Sequence, residues 1–340
     1  MKYSYGRVML LSLLLFTFLA SVGFAQPAPV TNLDTGETFR TIQAAIDDSD
    51  TDAGDTIEVN SSTYDSSKEP GGHSRDDDEG QALIVINKSL TIRSTNGPNS
   101  TVIDGRGNMV TIGIEADGVH FTGFTVTGAE IPSGRSYSVG IDGSGNANTV
   151  IANNIIVDNQ QSGIDVSNAI GCVITKNVVK NMQIPPEGKF VNAIVAKKSS
   201  NIEISENLIH HIGDPDTERI GASGVFFKQT KDSLIKNNEI YSIGDNALIL
   251  VGQSSRNRIT GNTVYDTYFR GLLLFGESNN NKVIGNEFSN SRHFGVGIEK
   301  ASVNNTVSKN IVSGNQIAGI DVLASKENYI FFYSIPCSSI

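Results

Sequence analysis

Tryptophan is absent from this chain, and cysteine occurs only at Cys172 and Cys337. Two cysteines cannot staple a fold of 340 residues, so stability has to come from a buried apolar core. No window holds apolar residues at i, i+3, i+4 and i+7 for long, which excludes a helical bundle and a leucine-rich-repeat solenoid. Positive charge is also scarce: 26 Lys and Arg stand against 36 Asp and Glu, for a net charge of −10. That balance argues against nucleic acid or an anionic membrane as partner. Five His and four Met are scattered through the chain without a cluster of soft ligands. His210 and His211 are adjacent, but neighbours on a regular strand point to opposite faces, so no paired metal ligand is expected there. The single long apolar run, VMLLSLLLFTFLA over 8–20, follows Lys2 and Arg7 and precedes Gly23 and Ala25. It is too short to span a bilayer and reads as a secretory signal over 1–25. The mature chain is therefore expected to be secreted, periplasmic or on the cell surface, without a membrane span, and to be a monomer.

What the sequence has in abundance is a repeat. Between 149 and 328 one pattern returns seven times: an apolar pair, an Asn, another apolar pair, a polar turn, then a small residue and apolar alternation. The Asn positions are 154, 177, 207, 238, 262, 286 and 310, and the last four are spaced by 24 residues. A fixed period in the twenties marks a solenoid whose coils bury their apolar faces only against neighbours. The apolar groups are short, rich in Val, Ile and Leu, and cut by Asn and Gly, so each coil reads as three short strands and three turns. The Asn column is expected to form an amide ladder at one turn. A second column, Asn148, Asn201, Asn280, Asn304 and Asn328, is expected to do the same at another. Six coil steps would separate Cys172 from Cys337 by roughly 30 Å, so no disulfide is expected.

The "NxI/V … GI/LxV" coil and the stretch TIQAAIDDSDTDAGDTIEVNSSTY (41–64) resemble the right-handed parallel β-helix family, the pectin-lyase-like proteins and the periplasmic proteins of nitrous oxide reductase maturation, over roughly 38–328. The resemblance implies an all-β, right-handed parallel β-helix solenoid with a short N-terminal capping helix. The organisation is then a signal at 1–25, a leader at 26–40, the β-helix at 41–328 and a tail at 329–340 that caps the last coil or marks a truncation. The acidic run from Asp47 to Asp55 lacks the Gly and Glu of a calcium loop and is read as a solvated turn. The polar stretch 65–81 is read as a mobile loop.

Chemistry concentrates at one turn. From the Asn to the next small residue, regular coils take nine steps, whereas the segments 124–140, 177–193 and 207–224 take 16 or 17. These insertions leave from the same turn and are expected to wall one side of the cylinder. Beside them lie Asp214, Asp245, Arg270 and His293 as candidate catalytic groups, and Tyr268, Arg292 and Lys228 as candidate substrate contacts. Asp214 and Asp245 on neighbouring coils would either bind a divalent cation, calcium being the expected cofactor, or raise one another's pKa. Arg270 could face a uronate carboxylate. Lys197, Lys198, Lys228 and Lys300 form a candidate basic strip. GDNA (244–247) and RHFG (292–295) resemble polygalacturonase segments at Asp245 and His293 only, and GDPD (213–216) is similar to an Asp-Pro motif of alginate epimerases. The expected function is binding of an acidic polysaccharide, extended to lyase-like cleavage or epimerisation. The alternative is a non-catalytic cell-surface or adhesion scaffold.

Overall fold

The computed structural model describes residues 29–69, 73–74, 81–131, 135–182, 190–213 and 221–331. The expected signal at 1–25, Asp214 and Cys337 lie outside the described residues. Three sheets of 13, 10 and 11 strands run along the molecule, here called A, B and C in the order in which one coil visits them. A representative coil passes from Arg258–Thr260 in sheet A through Asn262 to Thr263–Thr267 in sheet B, and then to Arg270–Phe275 in sheet C. Each strand pairs in parallel with its equivalent in the next coil, as in Ile259↔Val283, Val264↔Phe288 and Leu272↔Val296. These residues point inward and are completely buried, so the interior is a stack of aliphatic layers with occasional Phe.

The turns hold the coils in register. The Oδ1 of Asn262 accepts from the backbone N and Nδ2 of Asn238 at 3.0 and 2.9 Å, and its own Nδ2 donates to Asn286 Oδ1 at 2.9 Å and to Ile235 O at 2.9 Å. The same pattern links Asn154, Asn177, Asn207, Asn238, Asn262, Asn286 and Asn310. This satisfies buried amides that would otherwise each cost about 1–3 kcal/mol. The second ladder differs from expectation by one residue. It is built from Asn257, Asn281, Asn305 and Asn328, with Ser233 preceding them. Asn148, Asn201, Asn280 and Asn304 adopt φ near +57° instead, with Asn280, for example, at 59°. They supply the left-handed step that turns the chain into the ladder position, a conformation Asn tolerates well.

The capped end is closed by a short helix, Ile42–Asp47, whose Thr41 cap accepts from Ala44 N at 3.0 Å. Ile42, Ala45 and Ile46 seal the core. Val30–Asn32 pairs antiparallel with Thr38–Phe39 and with Thr56–Val59, so residues read as a leader contribute two strands to the cap. Glu69, in the stretch read as a mobile loop, is 1% exposed and accepts from Ile42 N and Gln43 N at 2.6 and 3.2 Å. Burial pushes its pKa up to about 6 against those two hydrogen bonds. At the other end Tyr329–Phe331 still pairs with Thr306–Ser308, so the tail begins as a further sheet A strand. Cys172 is a buried free thiol. Among the described residues no helix is long and apolar enough to cross a membrane.

Candidate functional site

The long connections leave where the sequence placed them, between sheets B and C. The strands Thr125–Thr127, Val178–Met182 and Leu208–Ile212 end there, and Val139–Asp142, Val191–Lys197 and Ala222–Lys228 follow. Beside these connections the outer face of sheet C carries a groove of about 420 Å³. Its floor comes from outward-facing strand residues: Phe226, Ile249 and Leu273 form one column and Val251 and Phe275 the next. Tyr268, Phe269 and Phe190 form apolar walls, and Asp245, Asn246 and Ser223 gather at its polar end. An apolar trough with a few convergent polar groups is the usual make-up of a ligand site.

Asp245 is the chemically distinctive group. Gly221 N donates to its Oδ2 at 2.9 Å and Asn246 Nδ2 donates to its Oδ1 at 2.8 Å. Burial nonetheless pushes its pKa up to about 6, against the lowering effects of Gly221 N–H and of Arg270. Asn246 is 4% exposed, and its Oδ1 is buried without a hydrogen-bond partner. A ligand donor reaching Asn246 would remove that desolvation cost.

Other expected site residues are redistributed. Arg270 is 8% exposed and ion-paired with Glu299, its guanidinium carbon 4.2 Å from the Phe269 ring centroid. It lies flat over Gly297, where an added Cβ would come within 2.8 Å of its Nε. Its charge is already met by Glu299, so it does not stand open to a uronate, contrary to expectation. His293 shares a column with Asp245, as the bonds Phe269 N to Asp245 O and His293 N to Phe269 O show. Phe269 occupies the coil between them, its ring centroid 4.2 Å from that of the imidazole. Arg292 does not line the groove but lies 5.0 Å over the Tyr268 ring, in a recess shared with Ser242, Asp266 and Asn290. Lys228 is exposed at the far end of its strand, paired with Lys197 on one side and with groove residue Val251 on the other. It therefore borders the groove and does not enter its polar end. With Asp214 outside the described residues and both Asp245 oxygens engaged by donors, the expected two-carboxylate calcium arrangement is not assembled from described residues.

A carboxylate pair of that kind occurs elsewhere on the same face. Asp142 and Asp165 are register partners on adjacent strands, 0% and 4% exposed. Burial and the neighbouring Asp142 raise the pKa of Asp165. Tyr137 Oη donates to Asp142 at 2.9 Å, Ser144 N donates to it at 3.0 Å, and Ser167 N donates to Asp165 at 2.8 Å. The sequence carried a partial signal: the tripeptide Gly-Ile-Asp occurs at 140–142 and 163–165, on adjacent coils, and once more at 319–321. At the capped end Glu37, Asp48 and Asp50 bring carboxylate oxygens within 4.8 Å of one another, two of the three residues being exposed.

Comparison with known proteins places this geometry. The family described as a right handed beta helix region matches residues 189–331. A cell surface glycoprotein of Methanothermus fervidus is 27% identical over 175 residues, which cover 52% of this chain and 21% of that protein. The chain thus spans about a fifth of that relative's length. The crystal structure of pectate lyase Pel9A superposes with a TM-score of 0.59 at 16% identity, over 85% of this chain and 78% of that one. The Dettilon tailspike protein superposes with a TM-score of 0.58 at 15% identity, over 79% of this chain and 61% of that one. At these identities the likeness is one of fold. Three parallel sheets, coil-to-coil Asn ladders and these superpositions give the chain the fold of a right-handed parallel β-helix.

Proposed function

We propose that this chain is an extracellular polysaccharide-binding protein whose substrate lies in the sheet C groove, with Asp245 as the proton-transferring group. The observation that carries the proposal is the position of Asp245, at the polar end of an apolar trough with its pKa near 6. Sugar rings present apolar C–H faces to Phe226, Ile249 and Leu273, while their hydroxyls reach Ser223 and Asn246. An acidic polymer is favoured by the Lys197 and Lys228 pair along the rim, which offers cations where Arg270 does not. For a uronate, a carboxylate at Asp245 can remove the proton α to the sugar carboxyl group. Elimination then gives cleavage, and return of a proton to the opposite face gives epimerisation. Superposition on a pectate lyase supports this reading at the level of fold.

The decisive experiment incubates the purified protein with pectate, alginate and hyaluronan, with and without calcium. Binding is measured by calorimetry, cleavage by the ultraviolet absorbance of unsaturated uronate, and epimerisation by deuterium uptake from solvent. Cleavage or deuterium uptake that disappears in Asp245→Asn while binding persists establishes Asp245 in this role. Binding without either reaction limits the function to recognition. Failure to bind any of the polymers removes the reading. The scaffold reading then stands, motivated by the cell surface glycoprotein relative and by the exposed sequon asparagines Asn87, Asn99 and Asn304.

A further inference from the structure

Sheet B presents to its outer side a feature unrelated to the groove. Lys180, His210, Tyr241 and Tyr265 are register partners on successive coils. The His210 imidazole stacks on Tyr241 at 4.9 Å and 1°, and Tyr241 stacks on Tyr265 at 4.9 Å and 8°. The next residue, His211, has φ 55°, which breaks the alternation of the strand. Its side chain does not go to the opposite face, as a regular strand would require, but meets His210 edge to face at 4.9 Å and 79°. The two Nδ1 atoms converge to 2.7 Å.

We propose that His210 and His211 form a bidentate site for a first-row divalent transition metal of the nickel, copper or zinc type. At 2.7 Å at least one of the two nitrogens carries no proton, so a lone pair is available. Two imidazole nitrogens at about 2.0–2.1 Å from a metal lie roughly 3 Å apart at a right-angled bite. The observed pair needs to open by only a few tenths of an ångström on that roughly 3 Å span. The metal takes the place of the proton that the two rings otherwise share. Stacking on Tyr241 fixes the His210 plane, and the left-handed backbone step fixes His211, so little ordering remains to be done on binding. The charges facing the pair are Lys180, which opposes a cation, and Glu239, which favours one. Asn181 and Ser242 occupy the His211 place on the flanking coils, both at φ 54°, and water completes the coordination.

Neighbouring coils supply variants that preserve the fold. His210→Tyr extends the Tyr241 and Tyr265 stack, and His211→Asn copies Asn181 in the same left-handed step. The full-length protein is titrated with Zn(II) by calorimetry and with Cu(II) by electron paramagnetic resonance. The expected result is one tight ion per chain with two coordinated nitrogens, and affinity lower by on the order of 100-fold in each variant once the chelate is lost. His120→Thr, on sheet A, should leave binding unchanged. Unchanged affinity in either His210→Tyr or His211→Asn, or no tight binding by the wild-type chain, overturns the proposal. Circular dichroism of each variant confirms that the comparison is between folded proteins.

Discussion

Arg270 shows how one side chain can be misread from position alone. Its place in the coil suggested an anion receptor, but Arg270 and Glu299 are both nearly buried and ion-paired with each other, with only the Nε of Arg270 left without a hydrogen-bond partner. Arg270→Ala should leave a buried carboxylate without its cation and destabilise the protein by about 3–5 kcal/mol. The double variant Arg270→Met, Glu299→Gln should recover most of that loss, because neither charge then needs a partner. Urea denaturation of the three proteins measures both effects. Asp245 makes a second residue-scale prediction through pH. Its pKa rises from 3.8 in the unfolded reference to about 6 in the folded chain, and that of Glu69 from 4.5 to about 6. Below both values the groups are protonated in either state. Between about pH 4 and 6 the folded chain retains protons that the unfolded chain has released, so stability falls as pH rises and levels off above the window. Urea midpoints across that range should show this slope, reduced in Asp245→Asn and reduced again when Glu69→Gln is added. The His211 orientation, by contrast, was beyond sequence reasoning, because nothing in the tripeptide His-His-Ile marks a left-handed residue within a strand.

At the scale of the coil, the asparagine ladders turn a repeat in sequence into a registered stack. Asn262 bonds to the coils on both sides, whereas the Nδ2 of Asn310 reaches back to Val283 O at the end of the column. Asn262→Ala should therefore cost several kcal/mol, since it strips partners from Asn238 and Ile235, at about 1–3 kcal/mol for each orphaned group. Asn310→Ala should cost distinctly less, and thermal unfolding of the pair checks the order. The period of 24 and the apolar alternation made this element legible because both follow from geometry that every coil repeats. The error of one residue in the second ladder has a physical origin. Asn280 and Asn281, like Asn304 and Asn305, are adjacent, and Asn suits both the left-handed step and the ladder place that follows it. Composition alone cannot say which of two neighbouring asparagines turns and which one bonds. The groove was legible only as a region. The insertion lengths located the face, but its floor of Phe226, Ile249 and Leu273 became visible only once the outward column was assigned, as did the buried pair Asp142 and Asp165.

At the scale of the whole molecule, each coil touches only its neighbours, so stability is distributed along the axis. The capped end buries Ile42 and Ile46 completely, whereas the last described coil leaves Val322 41% and Leu323 57% exposed. Hydrogen exchange should follow this gradient, with slow amides in the strands at 246–251 and 270–275 and faster ones in those at 318–323 and 329–331. Uniform protection from end to end would contradict a coil-by-coil distribution of stability. The ladders have one more consequence, which is electrical. In every rung Oδ1 faces the preceding coil and Nδ2 donates to the next, so the amides lie head to tail in a single sense along the axis. The second ladder, from Asn257 to Asn328, points the same way. Aligned amides polarise one another and add their moments, which gives the cylinder a permanent axial dipole with its negative pole towards the helical cap and its positive pole towards the last coil.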